Sequence, residues 1–152
     1  MVKVYISVKA SKKQNLSEKI PEIRKKGLKY SAQGMQRHLK QNSPVDEGLL
    51  KGWYFERESD TEVEIRTPAH YAPYVNDGTG IYNGGGIIRP KNGSVLRFKP
   101  GPKWKGHVGK DGYVYIKYSK GQKGQKFVEK SIQQTEGKLA DYFIKAVHEV
   151  LT

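Results

Sequence analysis

The sequence predicts an α+β fold in which a mainly antiparallel sheet of about five strands is packed by a long N-terminal helix and a C-terminal helix. Three observations carry this. Val2, Val4, Ile6 and Val8 alternate with polar or aromatic neighbours, the period of a half-buried strand. Residues 17–41 then switch to a helical period. Four more strand-like runs, with an irregular middle, separate that stretch from a last helical pattern over residues 127–151.

Each element has its own justification. Pro21 sits early in the first helix, where its missing N–H costs little. Ile20, Ile23, Gly27, Tyr30 and Gly34 form one stripe, with Leu28, Ala32, Met35 and Leu39 beside it and a Lys- and Arg-rich face opposite. The two interior glycines each cost about 1 kcal/mol relative to alanine. Seven apart on one face, they either admit another backbone closely or are simply tolerated. Pro44 disfavours helix in the residue before it, so the helix ends near Asn42 and Ser43. Residues 50–58 and 62–67 read as strands joined by a turn over 58–61. The stretch HYAPYVNDG, residues 70–78, reads as one helical turn and leads into a glycine-rich loop over 78–86. Strand-like pieces return at 95–99 and 113–118, and SKGQKGQK leads to the final helix. Phe127, Ile132, Leu139, Phe143, Val147 and Val150 supply much of its apolar face, joined by Ala140, Ile144 and Ala146. With no internal repeat and no dividing linker, residues 1–152 are expected to form a single domain.

A chain of 152 residues, only 36% hydrophobic and 28% charged, has material for one modest core. Joining an oligomer would bury more, although composition alone does not require it. With 28 Lys and Arg against 15 Asp and Glu, the net charge is +13. A field of that sign favours polyanions, above all nucleic acid, and equally suits an acidic protein partner. The absence of cysteine excludes disulfides, thiolate catalysis and Cys-based metal sites, and fits a reducing compartment. No stretch approaches the ~20 apolar residues that span a bilayer. The alternating N-terminus is unlike a signal peptide, so neither membrane nor export is expected.

The chemical motifs are weak. Gly78-Thr79-Gly80 is followed by Ile81-Tyr82-Asn83-Gly84, one residue too many for a dinucleotide-binding G-x-G-x-x-G, and no βαβ setting surrounds it. No Walker-type Lys-Ser or Lys-Thr follows a glycine. His38, His70, His107 and His148 are scattered without ligand spacing. The serines lack a G-x-S-x-G elbow. Asp46, between Pro44-Val45 and Gly48, suits a turn or helix cap better than catalysis. No catalytic, cofactor-binding or metal-binding residue is therefore assigned. DGYVYIKY, residues 111–118, approaches an RNA-recognition strand signature through Gly112, Tyr113, Tyr115, Ile116 and Tyr118. Against it, Val114 replaces a small residue and Asp111 sets a negative charge where phosphate would lie. An ordinary tyrosine-rich antiparallel strand explains the same pattern. A basic, tyrosine-rich nucleic-acid-binding module is kept as the alternative function.

Four pieces in order resemble one family, the minor tail and tail-completion proteins of long-tailed bacteriophages. Ser43-Pro44-Val45-Asp46-Glu47-Gly48-Leu49-Leu50-Lys51-Gly52 is similar to the family's P-V-D-T-G-x-L-x-x-S element after the first helix. Tyr71-Ala72-Pro73-Tyr74-Val75-Asn76-Asp77-Gly78-Thr79 is close to Y-A-P-Y-V-E-x-G-T. Val95-Leu96-Arg97-Phe98 with Gly112-Tyr113-Val114-Tyr115 resembles a paired L-x-F and G-x-x-V/F hairpin. Gly124-Gln125-Lys126-Phe127 stands where the family has Pro-Phe before its last helix. Glu47, Gly52, Asn76 and Lys126 depart from the usual Thr, Ser, acid and Pro.

The resemblance implies a non-enzymatic virion protein at the head–tail junction, without cofactor. Its expected partners are copies of itself in a ring, often a hexamer, the head-side connector or stopper, and tail-tube or tail-terminator proteins. Transient contact with passing DNA is a further expectation. The implied location is the virion, and the host cytoplasm during assembly. Pro44, Asp46, Gly48, Tyr71, Pro73, Tyr74, Gly78, Thr79 and Phe127 are the structural or interface candidates. Within HYAPYVNDGTG, Pro73 fixes the backbone, Tyr71 and Tyr74 are expected to anchor it against the sheet, and Gly78 and Gly80 to release it into a mobile loop.

Overall fold

A computed structural model describes residues 2–7, 17–44, 49–102 and 104–151. It is an α+β fold with four α-helices and five antiparallel strands in two sheets, in agreement with the predicted class. Its contacts cluster into two compact units, Met1–Pro73 with Lys126–Thr152, and Tyr74–Gln125.

In the first unit, β1 (Lys3–Ser7), β2 (Tyr54–Glu58) and β3 (Glu62–Arg66) form a sheet in the order β1-β3-β2. The alternation read from the sequence sets the register. Val4 pairs with Ile65 and Ile6 with Val63, while Phe55 meets Ile65 from the other side. These residues share one face. Lys3, Tyr5, Tyr54, Glu64 and Arg66 share the other, because strand side chains alternate. A bulge between Phe55 and Arg57 accommodates Glu56.

Helix α1 (Ile20–Asn42) begins with Pro21 in its first turn, and its buried stripe includes Leu28, Ala32, Met35 and Leu39. It packs against β3 and against two C-terminal helices, α3 (Phe127–Glu136) and α4 (Leu139–Leu151). The sequence predicts one helix over 127–151. Instead the chain breaks at Gly137 and Lys138, whose N–H groups bond to the carbonyls of Gln133 (3.1 Å) and Thr135 (3.0 Å). A glycine inside a helix gives up about 1 kcal/mol of propensity, and here it marks the change of direction. The break lets α4 lie antiparallel on α1. Tyr142 near its start faces Gly34, Phe143 faces Gly27, and Glu149 near its end accepts a hydrogen bond from Tyr30. The paired glycines thus admit two aromatic rings.

In the second unit, β4 (Leu96–Phe98) and β5 (Val114–Ile116) form a two-stranded sheet. A longer irregular ribbon runs beside it. Thr79 N–H bonds to the Gln122 carbonyl (2.8 Å), Ile81 N–H to that of Lys120 (3.0 Å), and Ile88 and Ser119 exchange both bonds (2.8 and 2.9 Å). Helix α2 (Ala72–Asp77) precedes this ribbon, longer than the single turn expected.

Candidate interaction surface

The helix end that carries the first predicted element is held by side chains from two other elements. Ser43 N–H and Oγ both bond to the Leu39 carbonyl, at 2.9 and 2.6 Å. Trp53 then donates its indole N–H to Ser43 Oγ at 2.9 Å. Phe127, 2% exposed, meets the Trp53 ring edge-on at 6.4 Å between centroids. Phe127 therefore belongs to the core of its unit and presents no free surface. Pro44 is half-buried just beyond the capped end. Asp46 and Gly48 lie outside the described residues. The strand predicted from residue 50 starts only at Tyr54, because Leu49–Lys51 form a 3-10 turn that brings Trp53 inward.

The second predicted element is α2 and its exit. Tyr71 and Pro73 are half-buried, but Tyr74 is 61% exposed and does not anchor the segment as expected. Gly78 and Gly80 do not open a loose loop either. Gly78 has φ +86°, and a Cβ there would stand 2.6 Å from the Gln122 carbonyl oxygen. Gly80 has φ +65° and would place a Cβ against the Lys120 carbonyl. Both glycines serve a tight backbone pairing that only a residue without a side chain permits. Thr79 reinforces it, its Oγ1 accepting from Gln122 N–H at 2.9 Å.

The structure brings together a group that sequence reasoning did not assemble. On the β4–β5 ribbon, Arg97 pairs with Tyr115. Its guanidinium lies 3.5 Å above the centre of the Tyr113 ring, and its Nε donates to Tyr115 Oη at 3.1 Å. Tyr115 in turn donates to Asp111, whose carboxylate is 3.7 Å from Arg97. The Tyr115 hydrogen bond, with Arg97 nearby, holds the Asp111 carboxyl below its usual range. The Asp111 that speaks against phosphate binding in the sequence is thus tied to an arginine. A signal existed, an isolated Asp in a strongly cationic stretch with one Arg on a neighbouring strand, but no short-range period links them.

Charge is unevenly shared. Residues 74–125 hold ten Lys and Arg against Asp77 and Asp111, a net +8, whereas the other 100 residues hold 18 against 13, a net +5. In the first unit, the outer sheet face is largely self-neutralised. Glu64, 5% exposed, accepts from Arg66 at 2.7 Å and pairs with Lys3 at 3.4 Å, and Arg66 also binds Glu56. Its carboxyl is lowered chiefly by the Arg66 hydrogen bond.

His38 is buried, with Nδ1 2.9 Å from Thr135 Oγ1. No group of three or more His, Asp or Glu side chains among the described residues is arranged to hold a metal. A groove of about 300 Å³ in the first unit has Leu28, Ala32, Phe55 and Val63 on its floor and Lys25, Lys29 and Asp60 among its lining residues. No described helix is long and apolar enough to cross a membrane.

No curated protein and no solved structure matches the chain. A family model does, that of the HK97-gp10-like proteins, described as "Bacteriophage HK97-gp10, putative tail-component". It matches residues 9–78, slightly less than half of the 152 residues. The matched stretch holds α1, the capped helix end, the β2–β3 hairpin and α2. That family supports a structural role in a phage virion. Over residues 9–78 the chain carries the pattern of the HK97-gp10-like family of phage tail components, consistent with its resemblance to phage tail-completion proteins.

Proposed function

We propose that the protein is a non-enzymatic structural component of a phage or prophage virion that acts in tail completion or head–tail joining. In this reading it forms a ring at the neck, a hexamer in the virion, between the head-side connector or stopper and the tail-tube or tail-terminator proteins. It assembles in the host cytoplasm and remains in the particle. The observation that carries the reading is the family match over 9–78, which spans the first of the four elements on which the resemblance rests, residues 43–52, and the second, residues 71–79, as far as Gly78. Physical features support it. Exposed apolar side chains such as Tyr74, Ile81, Ile144 and Leu151 provide area that neighbours can cover. Pro44, Asp46, Gly48, Tyr71, Pro73, Tyr74, Gly78, Thr79 and Phe127 are the proposed structural or interface residues, Phe127 as a core residue.

Light scattering of the protein alone and mixed with the adjacent neck proteins tests the ring. A ring-sized species in the complete mixture is expected, and a persistent monomer there sinks the proposal. Particles assembled without the protein test its place. Separate filled heads and tails are expected, and intact infectious virions would refute a joining role.

A further inference from the structure

The second unit concentrates a net +8 in 52 residues, a charge density about three times that of the rest of the chain. Its two carboxylates cannot balance ten cations, and one of them, Asp111, is already shared by Arg97 and Tyr115. Lys99, Lys105, Lys110, Lys117 and Lys120 are exposed and make no ion pair among the described residues. Apolar or aromatic side chains stand exposed among them, with Trp104 40%, Tyr115 48% and Tyr118 53% accessible.

The ribbon gives these groups an orientation. Leu96, Phe98, Val114 and Ile116 alternate with Arg97 and Tyr115, so one side is apolar and the other cationic and aromatic. On the apolar side Val114 is 1% exposed, and Phe98 packs edge-on against Trp104 at 5.4 Å. On the polar side, Arg97 is fixed by Tyr113, Tyr115 and Asp111, and the exposed Lys99 and Lys117 follow directly on the ends of β4 and β5.

We propose that the unit Tyr74–Gln125 is a sequence-independent binding surface for the phosphate backbone of duplex DNA, centred on the Arg97–Tyr115 side of the β4–β5 ribbon. Lysines spread at intervals along a ribbon and its loops match a partner whose negative charge repeats along its length. The exposed aromatics offer flat faces beside sugars and phosphates. An acidic protein would need its carboxylates placed one by one against the same lysines, with apolar contact at the centre. The exposed side of this ribbon instead centres on a pinned guanidinium. Binding of this kind is weak at physiological salt. The inference stands apart from the phage reading and can fail without it.

Fluorescence anisotropy with a labelled duplex and the full chain tests the proposal. For four to six phosphates neutralised, affinity is expected to fall roughly a hundred- to a thousand-fold between about 50 and 200 mM salt. Lys99→Glu with Lys105→Glu and Lys117→Glu should weaken binding at least tenfold at low salt. Lys29→Glu with Lys40→Glu and Lys130→Glu, an equal change of net charge on exposed positions of the first unit, should weaken it less than threefold. The same ribbon lysines changed to Gln give a milder version should reversal disturb folding, with an intermediate loss expected. Equal losses in the two Glu triples would overturn the localised surface. Polyglutamate of matched charge competing as well as unlabelled duplex would show a general or protein-directed anion surface and overturn the DNA assignment. No binding at low salt would overturn it outright.

Discussion

The Trp53 indole N–H reaches Ser43 Oγ at 2.9 Å while that hydroxyl donates to the Leu39 carbonyl, so one buried serine joins the end of α1 to the chain leading into β2. Removing the hydroxyl strands a buried donor, which costs about 1–3 kcal/mol. Ser43→Ala should therefore lower unfolding stability by that order, measured by urea denaturation. Ser43→Thr keeps the oxygen and should cost less. Equal loss in both variants would point to crowding rather than the hydrogen bond.

Gly27 and Gly34 pose a contest between two effects. Alanine raises helix propensity by about 1 kcal/mol. At Gly27, however, a Cβ would stand 2.5 Å from the Phe143 ring, and at Gly34 it would overlap the Tyr142 phenol. Overpacking a tight contact costs about 1–3 kcal/mol. Both alanine variants should be net destabilised in thermal melts, and Tyr142→Phe should recover part of the loss at Gly34. A stabilised Gly34→Ala would mean that α4 shifts freely on α1.

Gly80→Ala should loosen the second unit locally. The substitution meets both a left-handed φ of +65° and the Lys120 carbonyl, for a cost of at least about 1–2 kcal/mol. Hydrogen exchange should accelerate at Ile81 and Ile88, whose N–H groups bond across to Lys120 and Ser119. Unchanged exchange would show that the pairing does not depend on this glycine.

His38 gives the fold an acid-side sensitivity. Burial first, then Lys138 and Arg37, lower its pKa below 6.5, so the neutral ring is the form the fold holds. Its contribution is complete above pH 6.5 and is lost as pH falls through the lower folded value. Unfolding midpoints in denaturant should decline below pH 6.5, and His38→Gln should flatten that slope. An unchanged slope would assign the sensitivity elsewhere.

Legibility in the sequence followed local period. Helix α1 and the β2–β3 hairpin each have a repeat or turn that residues a few positions apart disclose, whereas the pairing of β4 with β5 was legible only through the family resemblance. The break at Gly137 was hidden because apolar residues continue on both sides of it. The backbone ribbon joining 79–88 to 119–122 was hidden for a different reason. Thr79, Ile81 and Ile88 bond there to Gln122, Lys120 and Ser119 through the main chain, so no side-chain pattern advertises the contact. The Arg97–Asp111 pair is likewise a tertiary product. Of the structural or interface candidates, Phe127 opens its helix as the sequence predicts, but only packing reveals that the Trp53 ring meets it edge-on. Tyr74, expected to anchor, points its area to solvent instead.

The strand order β1-β3-β2 also has a consequence in time. β2 and β3 are joined by a short turn and can zip together quickly, whereas Tyr5 of β1 meets Glu64 across 59 positions of chain. Closing so long a loop is slow relative to a hairpin. During synthesis β1 emerges before β2 and β3 and must wait for β3, so a strand made early is placed late.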